Sequence, residues 1–262
     1  KLHPMIPPGH IFLQYRNPDT NEVVNIETTA RGIDLPSKHY LGLQTKEIPE
    51  VNMKEVIGLS FKNLGLSECR RGNFEKGFEA LTEYSKYYSE DNEILGYVAL
   101  LTKREKLGRN ILKKVNTHPS YSLVTTTLAE DVLHKRISPD ALNTLIFEKQ
   151  PGTRKDYLKR KEDLLQIVEE NPKSRDALFL FALTASALYQ NKEAIQALEK
   201  YHALDPSNPL VECYLTNLFL EQQNFSKAWH HFALAKELYD KQDTEPKELD
   251  HLQRVLSSCC FQ

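Results

Sequence analysis

Cysteine is scarce in this chain and badly spaced for chemistry. The 262 residues hold four, Cys69, Cys213, Cys259 and Cys260. Their spacing matches no metal-ligand pattern, and they are too few and too scattered for a disulfide framework. A reducing, cytoplasmic compartment is the expectation, with no metal and no cofactor. An excess of charge of one sign is lacking too: Lys and Arg total 34 against 36 Asp and Glu, for a net charge of −2. Nucleic acid and anionic lipid both call for a basic field that this composition does not supply. The short runs Lys103-Arg104-Glu105-Lys106 and Lys159-Arg160-Lys161 have acidic neighbours and read as solvated helix faces. No apolar run approaches the roughly 20 residues of a membrane helix, so no membrane insertion is expected. The sequence begins at Lys1 rather than Met, and a fragment or processed form is expected.

What the chain does have is a repeat. Lys192-Glu193-Ala194-Ile195 recurs as Ser226-Lys227-Ala228-Trp229, a period of 34 residues. Each block follows a short polar turn, Gln190-Asn191 or Gln223-Asn224. Leu198 corresponds to Phe232 and Leu204 to Leu238. A helix-turn-helix recurring at this period predicts a solenoid, in which each unit buries its apolar face against its neighbours. The expected fold class is therefore mainly α, an α-α superhelix. Leu178, Phe181 and Ala182 should pack against Ala194, Leu198 and Tyr201 in one repeat, 175–208. Leu215, Phe219, Ala228, Phe232 and Ala235 take the matching places in the next, 209–242. A closing helix at 245–256 would cover the last apolar face.

A further repeat is read at 58–91, from Leu64-Gly65, the turn Gly72-Asn73, and Gly77 with Leu81. These residues resemble the tetratricopeptide pattern, in which small side chains let two helix backbones approach closely. Between them the periodicity is eroded. Helices are expected at Glu93–Lys106, Arg109–Lys114 and Ser122–His134, with a break at His118-Pro119. Ser138-Pro139 signals a helix start for Asp140–Lys149. Pro151-Gly152 stops it, and Thr153 caps Arg154–Glu169.

The first fifty residues follow a different pattern and form a separate segment, 1–50, ahead of the helical part, 51–262. Three prolines argue against regular structure from Pro4 to Gly9. His10 to Arg16 reads as a strand, Asn17-Pro18-Asp19-Thr20 as a type I turn, and Glu22 to Glu27 as the return strand. With Arg16 and Asn21 flanking the turn, paired residues sum to 37. His10 then lies opposite Glu27, with Cβ atoms about 5 Å apart. A carboxylate beside an imidazole is the base-and-orienter half of a nucleophilic triad. The same spacing also describes an ordinary surface cross-strand pair. Arg31 to Glu50 reads as a connector.

Pro8 to Tyr15, then Val24 to Gly32, then Ser37-Lys38-His39-Tyr40 together resemble the last part of the transglutaminase-like α+β fold. The resemblance is to bacterial transglutaminase-like proteins that continue into tetratricopeptide repeats, and it covers residues 4 to about 45. It implies a Cys nucleophile on a helix, then a His on a strand, then an Asp on the next strand. His10 matches the second member and Glu27 the third, with Glu where Asp is usual. No cysteine precedes His10 in this sequence, and the four that follow are in the wrong order. Without a thiolate no covalent intermediate forms. Enzyme activity would require a Cys supplied by a missing N-terminal segment.

The tetratricopeptide resemblance implies a protein or peptide ligand held in a concave groove lined by the first helix of each pair. That lining would be Lys62, Leu66, Cys69 and Arg70, then Asp176, Phe179, Leu183 and Ser186, then Cys213, Asn217, Leu220 and Glu221. Lys62 fits one position of the clamp some such proteins use for a peptide carboxylate, but Leu66 stands where Asn is expected. The alternative is that these residues only pack neighbouring repeats or face water. His230 and His231 point about 100° apart on a helix and cannot chelate one metal from one face. Two functions follow as expectations. One is an interaction scaffold carrying an incomplete transglutaminase-like domain. The other is part of a cysteine acyl-transferase or protease-like hydrolase, with His10 as base and Glu27 as its orienter.

Overall fold

The computed structural model describes all residues except 1, 8–9, 28–32, 41–42, 44–47, 89–91, 116–126, 245 and 260–262, and it leaves the side chain of Lys38 undescribed. The expected break at His118-Pro119, the helix start at Ser122, part of the transglutaminase-like motif and Cys260 lie outside the described residues. Strands β1 (Leu2–Met5), β2 (Phe12–Arg16) and β3 (Val23–Ile26) form an antiparallel sheet in the order β1-β2-β3. The rest of the described chain is dominated by helices stacked as an α-α superhelix.

The strand β1 contradicts the expectation that Pro4 excludes regular structure. Pro4 pairs with Leu13, but its carbonyl faces the other way and accepts from the Val51 N–H at 2.9 Å. A residue's N–H and C=O point to the same side of a strand, so the missing donor of Pro4 removes no bond to β2. Residues 49–51 flank this edge, with Ile6 N–H donating to the Pro49 carbonyl.

The hairpin register also differs from expectation. Leu13 pairs with Ile26 and Arg16 with Val23, so paired residues sum to 39 rather than 37. The turn is longer than four residues and runs from Asn17 to Glu22, closed by Asn17 N–H to the Glu22 carbonyl at 2.9 Å. The Asn17 side chain accepts from the Asp19 N–H, and Asn21 adopts a left-handed φ of 58°, which Asn tolerates. A shift of two residues leaves every side chain on its expected face, whereas a shift of one would have inverted them all.

The helices are α1 (Met53–Arg70), α2 (Phe74–Ser85), α3 (Glu93–Leu101), α4 (Glu105–Val115), α5 (Thr127–Leu133), α6 (Arg154–Glu170), α7 (Arg175–Ala187), α8 (Asn191–Leu204), α9 (Pro209–Glu221), α10 (Phe225–Lys241) and α11 (Lys247–Cys259). Their starts are chemically specified. Asn52 and Glu55 form a reciprocal capping box on α1, and Thr153 with Asp156 does the same on α6. Ser174 caps α7, and Asn208 caps α9 just before Pro209.

Among the described residues four hairpins recur: α1/α2, α3/α4, α7/α8 and α9/α10. Each turns through one left-handed residue: Gly72, Lys103, Tyr189 or Gln223. In each, the next N–H reaches back to the helix, as Arg104 N–H does to the Ala99 carbonyl at 2.7 Å. Two of them close on glycines twelve positions apart, Gly65/Gly77 and Gly96/Gly108, and the other two carry buried small or short residues at the same spacing, Ala182/Ala194 and Thr216/Ala228. A Cβ at Gly108 would sit 2.7 Å from the Gly96 carbonyl oxygen.

The pair α3/α4 corrects the expected single helix Glu93–Lys106 and the short partner Arg109–Lys114. The chain leaves the helix after Leu101, Thr102 returns its hydroxyl to the Val98 carbonyl at 2.8 Å, and Lys103 takes φ 61°. The expected helix Asp140–Lys149 is instead a short 3-10 turn at Pro139–Ala141 followed by a wider π turn at Asn143–Phe147. Leu142 and Phe147, five residues apart, are both buried. A turn closed by bonds from i to i+5 brings residues at that spacing towards one side.

One large core runs from Tyr97 to Leu256, and a smaller one joins Cys69, Leu81, Leu95, Val98 and Phe147. Leu249, Leu252 and Leu256 of α11 bury the last apolar face. The N-terminal segment rests on this end of the superhelix. Tyr239 of α10 donates its hydroxyl to the Leu43 carbonyl at 2.8 Å, and Lys247 of α11 donates to the His39 carbonyl at 3.0 Å.

Candidate functional site

On the observed register Phe12 extends the pairing opposite Glu27, so His10 lies on the diagonal from Glu27, on the same face. Diagonal neighbours are about 7–8 Å apart at Cα, within reach of long side chains. Here they meet: His10 Nε2 lies 2.5 Å from Glu27 Oε2. The Glu27 side chain is buried, at 5% exposed, while that of His10 keeps 31%. With a proton on Nε2 shared with the carboxylate, Nδ1 is the nitrogen left to accept one. The buried oxygen thus orients the ring.

A third residue joins the group. Tyr40 ends a 3-10 turn at Ser37–Tyr40 and donates its hydroxyl to the same Glu27 Oε2 at 3.2 Å. Its ring stacks on Phe12 at 4.2 Å between centroids and lies parallel to His10 at 6.0 Å. Burial raises the Tyr40 hydroxyl above its ordinary pKa of 10, and the bond to Glu27 raises it further. It is therefore a donor across the neutral range. The floor beside the pair is polar as well. Gln14 donates to Asn25 Oδ1 at 3.0 Å, and Asn25 Nδ2 donates to the Leu35 carbonyl at 2.7 Å and to Ser37 Oγ at 3.0 Å.

The described cysteines do not complete a triad. Cys69 and Cys213 are both 1% exposed within the helical cores, and burial pushes their thiols to about 11 and about 12. Thiols held protonated in this way are poor nucleophiles. Among the described residues none presents a thiol within hydrogen-bonding distance of His10. The burial of Cys69 and Cys213 also removes both from the expected groove lining.

The remaining groove residues divide between two places. On α1, Lys62 lies over the Tyr84 ring at 5.3 Å, Leu66 packs against the smaller core, and Arg70 is exposed. On α7 and α9, Phe179 meets Tyr214 edge-on at 5.4 Å, which brings these two first helices together. Leu183 is half-buried, Asn217 is exposed, and Leu220 packs against the main core. Asp176 is engaged by the Thr127 hydroxyl at 2.5 Å and Glu221 by Asn191 Nδ2 at 2.7 Å.

Two polar clusters have no trace in the linear pattern. Arg175, 6% exposed, reaches Asp131, Glu130 and Asp205, residues distant in sequence that the fold brings to one guanidinium. Glu212, 1% exposed, is held between two helices: His202 Nδ1 lies 2.6 Å from one carboxylate oxygen and His231 Nδ1 2.8 Å from the other. His231 therefore turns to a carboxylate, while its neighbour His230 meets it edge-on at 5.2 Å. Among the described residues no group of three or more His, Cys, Asp or Glu is placed to hold a metal ion. No described helix is long and apolar enough to cross a membrane.

No family model matches this chain, and no curated protein matches it. Solved structures similar to it include a MamA RS-1 ArsTM double mutant, with 20% identity over 74% of this chain and 99% of that one, at a TM-score of 0.36. MamA from residue 41 to its end from Desulfovibrio magneticus RS-1 has 19% identity over 74% and 99%, at a TM-score of 0.35. Another crystal structure of MamA has 16% identity over 69% and 96%, at a TM-score of 0.36. The architecture of this chain stands on its own hairpins and caps.

Proposed function

We propose that the chain is a protein-interaction scaffold of tetratricopeptide type that takes a protein or peptide along the first helices of its hairpins. The observation that supports this reading is the recurrence of one hairpin geometry, turned each time by one left-handed residue and carrying small or short residues twelve positions apart. A stack of such units exposes one helix face per unit, here carrying Arg70 on α1 and Asn217 on α9. Binding modules of this kind rely on extended surfaces rather than closed pockets. The test is a titration of the purified chain against a random peptide library by fluorescence polarisation. Saturable binding is expected, weakened in Arg70→Ala and Asn217→Ala. Both side chains are exposed, so the fold should tolerate these changes. Binding indifferent to both substitutions would sink the groove reading.

A second reading is favoured by one contact, the 2.5 Å approach of His10 to a buried Glu27. In this reading residues 1–50 are the tail of a transglutaminase-like domain belonging to a cysteine acyl-transferase or hydrolase, whose nucleophile lies upstream of this chain. His10 Nδ1 would take the thiol proton and Glu27 would hold the ring. The sequence of the intact protein upstream of Lys1 tests it first: a Cys at a helix start is required. Given that Cys, intact protein carrying His10→Ala should lose thiol alkylation by iodoacetamide at neutral pH. Alkylation at the wild-type rate would refute the role.

A further inference from the structure

Tyr40 sits on a segment fastened at both ends. On the sheet side, Asn25 holds it through the Leu35 carbonyl and Ser37 Oγ, and the Asn25 N–H donates to Asp34 at 2.8 Å. On the other side the fasteners come from the far end of the chain. Lys247 holds the His39 carbonyl at 3.0 Å, and Tyr239 holds the Leu43 carbonyl at 2.8 Å. Leu43 also packs against the main helical core, in which Tyr239 is fully buried. The Tyr239 hydroxyl meets the Cys213 thiol as well as the Leu43 carbonyl, and a buried donor left unpaired is costly. Tyr40 in turn bonds the one Glu27 oxygen that His10 also meets.

We propose that Tyr239 and Lys247 are positioning residues for the His10–Glu27 pair: the last hairpin and the closing helix hold the Tyr40 segment, and Tyr40 fixes the carboxylate oxygen that orients His10. The inference rests on the second reading above, in which that pair works as base and orienter. It gives the superhelix a part in the site, because the end of the helical stack holds the Tyr40 segment.

The test uses the full chain labelled with 15N-histidine and follows the His10 imidazole resonances by NMR. Glu27→Gln and Tyr40→Phe are the references, and both are expected to move the His10 Nε2 signal. Tyr239→Phe, which keeps the buried ring and removes only the hydroxyl, and Lys247→Met, an exposed position, are expected to move it in the direction set by Tyr40→Phe. The double variant should move it further than either. A folded double variant with a wild-type His10 signal, beside a shifted Tyr40→Phe, overturns the inference and leaves the pair intact. An unmoved signal in Glu27→Gln defeats the pair itself and the inference with it. Should Tyr239→Phe fail to fold, Lys247→Met alone decides, and an unmoved signal there overturns the proposal.

Discussion

Arg175 and Asp131 are joined through backbone and side chain: the backbone N–H of Arg175 donates to Asp131 Oδ2 at 2.7 Å, and its Nε donates to Oδ1 at 3.1 Å. The two residues are 44 apart in sequence, and both are buried. Asp131 closes α5 onto the start of α7, where the first N–H groups of a helix lack internal partners and favour a carboxylate. Nη2 of the same guanidinium donates to Glu130 and Nη1 to Asp205. Removing one member of a buried ion pair strands the rest, at a cost of 3–5 kcal/mol as a rule. With two carboxylates left to Arg175, Asp131→Ala should fall at the lower end, about 3 kcal/mol, read as a drop in the urea midpoint.

Asp176, the next residue, gives a pH dependence. Burial raises its carboxyl from the ordinary 3.8 to about 6, and nearby Asp131 raises it too, against opposing effects of Thr127 and Arg175. An acid whose folded pKa lies above its unfolded one binds its proton more tightly when folded. Its contribution is thus fully present below pH 3.8 and is lost as pH rises through about 6. Asp176→Asn keeps an acceptor for the Thr127 hydroxyl and cannot ionise. The variant should match the wild type near pH 4 and exceed it near neutrality by on the order of 2 kcal/mol. Chemical denaturation at both pH values reads the difference, and parallel pH profiles for the two proteins would contradict it.

The sequence carried the parts of the fold that depend on neighbours along the chain and missed those that depend on distance. Hairpins α7/α8 and α9/α10 were legible because Ala194 and Ala228 repeat against matching apolar positions. Hairpin α3/α4 was not, because nothing around the turn at Lys103 repeats the blocks that Ala194 and Ala228 mark. The twelve-residue spacing of Gly96 and Gly108 was the available signal. Strand β1 was hidden by Pro4, whose harmlessness depends on Val51, distant in sequence. The turn was misjudged because Asn21 extends it, yet His10 and Glu27 remain on one face because the error was even. Tyr40 as their partner was not legible, since Phe12 stacking and the grip of Tyr239 and Lys247 are tertiary facts. The Arg175 and Glu212 clusters have no local pattern at all.

Arg160 offers a contrast with Arg175. It is 7% exposed, and its Nη1 is buried with no partner among the described residues. A buried donor without a partner is a liability, and an apolar residue of similar length relieves it. Arg160→Met should raise stability by about 1–2 kcal/mol, seen as a higher melting temperature. Arg175→Met should lower it, because three carboxylates would lose their shared partner. Equal effects of the two substitutions would show that burial, and not pairing, governs both sites.

The closure of α1 on α2 can be tested at one contact. A Cβ at Gly77 would lie 2.2 Å from Cys69 Sγ and 3.2 Å from the Gly65 carbonyl oxygen. The first approach is far inside contact distance, and the second is only tight. Gly77→Ala should therefore destabilise the protein by about 1–3 kcal/mol, the usual cost of overpacking. The strain falls mainly on the sulfur, which is buried and has little room to move. In a Cys69→Ala background the same substitution should cost much less, because the atom it strikes has gone and the added methyl fills part of the space. A double-mutant cycle measures this coupling directly. Additive effects would mean that the backbone contact with Gly65, rather than the thiol, sets the spacing of the two helices.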